Sequence, residues 1–244
     1  MKSVYRIGIL FLFLSSLSVQ AQEGVGGLRL GYNMNFTNGQ GFEVLVDRYN
    51  SSYTNLVQEL PDFNYLDGIS YHFYLAWGDN DFFAGGVLEI GYDNRSKSQI
   101  AVFDANGTRF EEQIRYSLNT GNFGFGIPIR MSHDGLISLG LRTNVGSLKV
   151  KSRFAREGTV RDEEWEDLES MLYMDFEVNL KLVVQGFSIE PYYTFSADKL
   201  FGSMNNLYYI NRELNPDTYQ LDGDRIPLNS GAFGIRIMVA IFIS

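Results

Sequence analysis

The sequence contains no cysteine, which excludes a disulfide framework, a thiolate metal site and a thiol nucleophile together. It contains two histidines, His72 and His133, so imidazole chemistry has only two places to sit. It has no run of 18 apolar residues, and therefore no transmembrane helix. Positive charge is the minority, with 20 Lys and Arg against 29 Asp and Glu, and no basic stripe is interleaved with aromatics, which argues against a nucleic-acid partner. No glycine-rich loop precedes a helix, so phosphate-cradling motifs are lacking as well. A cofactor is expected nowhere.

What is present starts at the amino terminus. Lys2 and Arg6 precede an apolar run from Ile7 to Leu14, and a small-polar stretch ends in Val19-Gln20-Ala21. That order predicts a signal peptide over 1–21 with cleavage after Ala21. Removing two positive charges takes the net charge from −9 to −11 and leaves one mature domain, 22–244, of a length common for all-β barrels. Twenty-five glycines, 15 tyrosines and 19 phenylalanines against five prolines suit many short strands with tight turns. The mean hydropathy of −0.12 does not oppose a membrane protein, because a barrel alternates oily and polar faces.

Period-two alternation carries the fold assignment. In the last segment Phe233, Ile235, Ile237, Val239, Ile241 and Ile243 share one face, while Ala232, Gly234, Arg236, Met238 and Ala240 share the other. Leu28, Leu30, Tyr32, Met34 and Phe36 oppose Arg29, Gly31, Asn33 and Asn35 in the same way, and a helix would scatter both sets. Similar runs span 69–77, 82–92, 137–145, 172–184 and 187–195. Asn106-Gly107 favours a tight reversal between a strand ending near Phe103 and one starting near Thr108. In that latter strand the apolar residues change parity, from Ile114, Tyr116 and Leu118 to Phe123, Phe125, Ile127 and Ile129, which predicts a bulge over 119–122. Tiny turns near 79, 133 and 185 alternate with long polar connections. The pattern predicts an all-β, eight-stranded antiparallel up-and-down transmembrane β-barrel with short periplasmic turns and long extracellular loops. Trp77, Phe82 and Phe187 lie toward the short turns and Tyr92, Tyr116 and Tyr193 toward the long loops, as two aromatic girdles would. A soluble barrel of the lipocalin type, with its oily face inward, is the rival architecture. Residues 42–60 break the alternation, because Phe42, Leu45, Val46, Tyr49, Tyr53, Leu56, Val57 and Leu60 follow helical spacing. Such a helix either packs over the barrel mouth or grips a partner.

On this register the lumen receives Arg29, His72, Glu89, Arg130, Arg142, Asp175, Glu177, Lys181, Glu190 and Arg236. An eight-stranded barrel is only just wide enough for its side chains, so these charges are expected to form a paired polar network rather than a channel lining. Arg236 is expected to take Glu190, on the neighbouring strand, as its counter-ion. Ser70 and His72 share a face, but no family motif surrounds them and catalysis needs an orienting acid and an oxyanion hole. The acids from Glu157 to Glu169 and the Asp222-Gly223-Asp224 segment do not match a calcium-loop spacing. No catalytic residue and no metal ligand is assigned.

These alternating strands, the turn spacing and the C-terminal strand resemble the small outer-membrane β-barrel proteins of Gram-negative bacteria, the superfamily that includes the outer-membrane protein A transmembrane domain. The likeness covers most of 26–243, and departs from it where Phe242 is followed by Ile243 and Ser244. It implies location in the cell outer membrane, contact with outer-membrane lipid, and the barrel-assembly machinery as a partner during biogenesis. Members include anchors, adhesins, lipid-modifying enzymes and secretion subunits, and fold does not choose among them. The leading expectation is a non-enzymatic structural or interaction module acting through its extracellular loops, with a possible protein partner there. A narrow pore for small solutes comes second and a lipid-modifying enzyme third.

Overall fold

The computed structural model describes residues 25–37, 46–47, 49–78, 85–132, 135–184, 186–196 and 231–243. The expected leader, Phe82, His133 and the Asp222-Gly223-Asp224 segment lie outside the described residues. Nine strands follow in chain order: β1 (Val25–Thr37), β2 (Leu56–Gln58), β3 (Tyr65–Gly78), β4 (Gly85–Ala105), β5 (Thr108–Ser132), β6 (Gly135–Arg156), β7 (Glu166–Val184), β8 (Phe187–Ser196) and β9 (Ala232–Ile243). All pairings are antiparallel. β1 pairs with both β3 and β9, and β4 with both β3 and β5, so eight strands close into a ring with neighbours in sequence also neighbours in space. β2 is a short addition on β4. The protein is thus an all-β, eight-stranded antiparallel up-and-down barrel.

Alternation decides what each face meets. The outward side chains of the ring are apolar: Leu141 is 65% exposed, Phe125 58% and Val239 59%. The inward ones are polar, with Arg236, Glu177 and Glu190 at 0%. This is the reverse of a soluble carrier barrel, in which apolar side chains fill the interior. Along β6 the outward apolar positions run from Ile137 to Val145. Nine residues at about 3.3 Å each, tilted by about 40°, make a band about 23 Å tall, close to the apolar belt of an outer-membrane barrel.

At one rim the strands are joined by 79–84, 133–134 and 185–186. At the other, β4 to β7 continue far past the band, and β5 alone is 25 residues long. The connection expected between 145 and 172 as a long polar loop is in large part strand, because β6 runs on to Arg156 and β7 starts at Glu166. The β4–β5 hairpin ends in a turn with Asn106 at φ 56° and Gly107 at φ 82°. Those two positive angles are what a two-residue turn matched to strand twist requires, and the Gly107 N–H donates to Asp104 Oδ1 at 2.8 Å.

The bulge expected over 119–122 does not occur. β4–β5 pairing is unbroken from Val87↔Gly126 to Ala105↔Thr108, and Ile114, Tyr116 and Leu118 point inward, as do Thr120 and Asn122. The strand keeps its phase while the interior changes from polar to apolar above the band. Tyr116 is accordingly a core residue at 1% exposure, not part of a girdle, whereas Trp77, Phe187, Tyr92 and Tyr193 are exposed near the two edges. The irregularity of β5 falls instead between Pro128 and Arg130.

Candidate functional site

The interior has three storeys. The lowest is a small apolar plug of Tyr74, Ala76, Val87, Leu136 and Val183. The middle storey is the charged network. Arg236, on β9, meets Glu177, on β7, through two parallel bonds of 2.8 and 2.6 Å, and its Nη2 also donates to Asp93 Oδ2 at 2.9 Å. The guanidinium lies 4.0 Å from the Tyr192 ring centre. Arg142, on β6, donates to Glu177 at 3.1 Å, to Glu190 at 2.6 Å and to Glu89. Lys181 pairs with Glu190 at 3.2 Å and with Glu89. Glu177 is therefore shared by two arginines, and each arginine contacts more than one carboxylate. Such sharing compensates buried charge that isolated pairs would leave exposed to a large desolvation cost.

Asp93 organises the neighbouring region. It accepts from Ser70 Oγ, bonds His72 Nε2 at 3.0 Å and accepts from Asn122 Nδ2 at 3.3 Å. A nucleophilic serine would instead present its hydroxyl to the imidazole, with the acid on the far ring nitrogen. Here one carboxylate holds both side chains, at most 1% exposed, so the arrangement is a structural clasp.

The top storey is apolar again. Val46, Tyr49, Leu60, Phe63 and Leu66 pack against Ala101, Phe103, Ile114, Tyr116, Leu118, Leu148 and Val150. Residues 46–47 and 49–52 are helical, a shorter helix than the 42–60 pattern predicts, because Leu56–Gln58 adds as β2 to the edge of β4. The Asn50 side chain clamps Leu60 at 2.8 and 3.0 Å, and Tyr49 donates to Glu112 at 2.7 Å. Burial, followed by the Glu112 charge, holds the Tyr49 phenol well above the usual tyrosine range, and burial raises Tyr116 too. The segment lies over the barrel mouth.

Above the band the outward face of β5 and β6 carries Arg115 paired with Lys151, then Lys149 opposite Ser117 and Arg153 opposite Gln113. The Arg115 and Arg153 guanidiniums sit 4.1 and 4.4 Å from the Trp165 ring centre. Arg115 Nε donates to Ser98 at 3.0 Å, while Arg153 donates to Gln113 at 2.7 Å and to the Arg161 and Glu163 carbonyls at 2.7 and 3.3 Å. Asp167 pairs with Lys151 at 2.7 Å, and that ammonium holds its carboxyl below the usual range. Among the described residues no group of three or more His, Asp or Glu side chains could hold a metal ion.

Comparison with known proteins finds no matching family model and no matching curated protein. Among solved structures, that of Ail, the attachment invasion locus protein of Yersinia pestis, in complex with the heparin analogue sucrose octasulfate, is similar over 89% of this chain and 96% of that one, with 12% identity and a TM-score of 0.38.

Of the residues expected in the lumen, Arg29, His72, Glu89, Arg142, Asp175, Glu177, Lys181, Glu190 and Arg236 are buried inside the ring. Arg130 is not. It is exposed on the outside, because the register shift after Pro128 reverses the parity on which its assignment rests. The partner expected for Arg236 also differs. Glu190 and Arg236 are opposed in the β8–β9 register, yet Glu190 turns to Arg142 and Lys181, and Glu177 takes its place. Asp93 and Arg95 are inward residues that the sequence reading passed over, although they share the parity of Glu89 on β4.

Proposed function

We propose that this chain is an outer-membrane β-barrel of the cell envelope, exported by its leader, that works without catalysis as a structural or interaction module through the rim built by β4 to β7. The observation that carries the reading is the inversion of the ring. Apolar side chains face out over a band of membrane height, while the charged network and both apolar storeys close the interior. Lipid is the solvent in which that outer face is at low free energy. A water-filled pore would leave its lining accessible to a water-sized sphere, whereas Arg142, Glu177 and Arg236 are 2%, 0% and 0% exposed. The Asp93 clasp supports the non-enzymatic reading, since it engages both Ser70 and His72.

The test is membrane extraction together with conductance. The protein should stay with the membrane after salt washing, and should migrate differently on gels before and after boiling, since a closed barrel has no free edge at which unfolding starts. Purified protein in planar bilayers should give no stable steps of current. Release by salt alone would defeat the membrane reading, and reproducible single-channel steps would move the pore reading ahead.

A further inference from the structure

Two features of the outer surface fall on the same strands. A cavity of about 880 Å³ opens in the outward apolar band, lined by Phe123, Phe125, Leu139, Leu141, Phe176 and Phe195. Its walls are aromatic rings standing around Thr143, which opposes Phe123 on one side and Phe176 on the other. Higher on β5 and β6 lie Arg115, Lys149, Lys151 and Arg153, with Asp167 as the acid paired into them. Between the two features the outward rows are Gly121–Val145–Met174 and Asn119–Ser147–Leu172. Charge therefore begins one row above Leu172, the upper exposed apolar side chain of these two rows. Tyr92, whose hydroxyl donates to Asn119 at 3.3 Å, marks the same level.

We infer that this face binds one anionic membrane lipid, with a phosphate-bearing head on Arg115, Lys149 and Lys151 and an acyl chain lying in the aromatic groove below. The inference rests on the membrane reading above. Its geometry agrees with the occupant: Leu141, at the middle of the band and in the groove wall, to Lys149 is eight residues, about 26 Å along the strand and about 20 Å along the membrane normal at a tilt of about 40°, the depth of one leaflet with its headgroup. The charge agrees as well. Four cations, Arg115, Lys149, Lys151 and Arg153, form the cluster, and Asp167 is the acid in ion-pair contact with it, on a chain that is otherwise strongly acidic. Partial burial and the adjacent Arg153 hold the Arg115 guanidinium below its ordinary range, a crowding of like charge that a phosphate relieves. Gln113, Ser117 and Ser98 supply neutral partners around it. A zwitterionic head brings its own cation to a cluster already positive, so the site distinguishes lipids by net charge.

The probe is phosphatidylglycerol against phosphatidylcholine with the same acyl chains. The mature protein is refolded in detergent doped with equal amounts of the two, and retained lipid is read by native mass spectrometry. One phosphatidylglycerol should remain, preferred about thirtyfold or more, as two to three cations near an anionic head supply. The preference should fall as salt rises in the unmodified protein, a readout that needs no variant. Lys149→Gln with Lys151→Gln should bring the ratio close to one while gel migration before boiling stays that of the folded barrel. Thr143→Trp, which fills the groove, should reduce retention of both lipids. Inorganic phosphate should not displace the lipid; displacement at equal efficiency would reduce the site to one for free anions and overturn the proposal. A folded barrel that retains the two lipids equally would overturn the lipid site and leave the membrane reading standing. Failure of the refolded protein to insert into vesicles of either lipid, read by flotation, would remove the membrane reading itself.

Discussion

Replacing Glu177 tests whether the middle storey is one network or a set of independent pairs. Glu177 receives two bonds from Arg236, at 2.6 and 2.8 Å, and one from Arg142 at 3.1 Å. Opposite charges about 4 Å apart attract by about 4 kcal/mol at an effective dielectric of about 20. In Glu177→Gln the shape is kept and the charge lost. Arg236 retains Asp93, and Arg142 retains Glu89 and Glu190, so the cost belongs near the lower end of the ~3 to 5 kcal/mol observed when one member of a buried pair is removed. Arg236→Met costs a similar ~3 kcal/mol, because Glu177 keeps Arg142 and Asp93 keeps its Ser70, His72 and Asn122 donors. The double variant strands neither partner and should cost about 4 kcal/mol rather than about 6, a coupling of about 2 kcal/mol. The same cycle run on Glu190 and Arg236, which are opposed in register without bonding, should give a coupling of about 1 kcal/mol or less. The measurement is urea unfolding in lipid vesicles, followed by the loss of the unboiled gel form. Additive penalties at 177 and 236, or a larger coupling at 190 and 236, would refute the assignment of partners.

Three further outcomes are expected. Alkaline titration should loosen the rim: the Tyr49 phenol has its folded pKa raised above the unfolded value of about 10, so its contribution is complete below pH ~10 and declines as pH rises further. Tyrosinate absorbance together with near-ultraviolet circular dichroism will show whether the alkaline change is smaller in Tyr49→Phe. At neutral pH Tyr49→Phe takes one donor from buried Glu112 and should cost about 1 kcal/mol, read as a lower urea midpoint. Gly31→Val should weaken the closing seam by about 1 to 3 kcal/mol, because a Cβ there meets the backbone of Ile237 and Met238; Gly121→Ala, with only ordinary contact to Val145, should leave the urea midpoint unchanged.

The ring was legible because a period of two survives any number of inserted loops. Phe233, Ile237 and Val239 announce one face, Arg236 and Met238 the other, and the structure keeps them so. Where the reading failed, it assumed that apolar means outward along the whole strand. Ile114, Tyr116 and Leu118 obey the same backbone phase as Asn122, but their surroundings are a water-excluding core above the band, where apolar side chains belong inside. Arg130 was misplaced for the complementary reason: the pairing shifts by one residue between Pro128 and Arg130, and a single register shift reverses every side chain beyond it. The helical spacing over 42–60 was visible, but the edge of β4 that recruits Leu56–Gln58 into β2 was not, because an edge exists only once the sheet does. The choice of Glu177 over Glu190 by Arg236 also depends on side-chain reach across the lumen, which adjacency of strands does not encode.

The top storey places a second kind of solvation in the same molecule. When the rim opens over a ring that stays closed, side chains of the outward band keep their surroundings and contribute no change in hydration. Val46, Phe63, Phe103 and Ile114 leave water when the rim forms, and burying apolar surface from water is what gives unfolding its positive heat capacity. The heat capacity of rim opening is therefore carried by this upper apolar storey. Cooling weakens that term, and the helical residues 46–47 and 49–52 should lose their hold on the barrel mouth at temperatures where the ring below them is still closed.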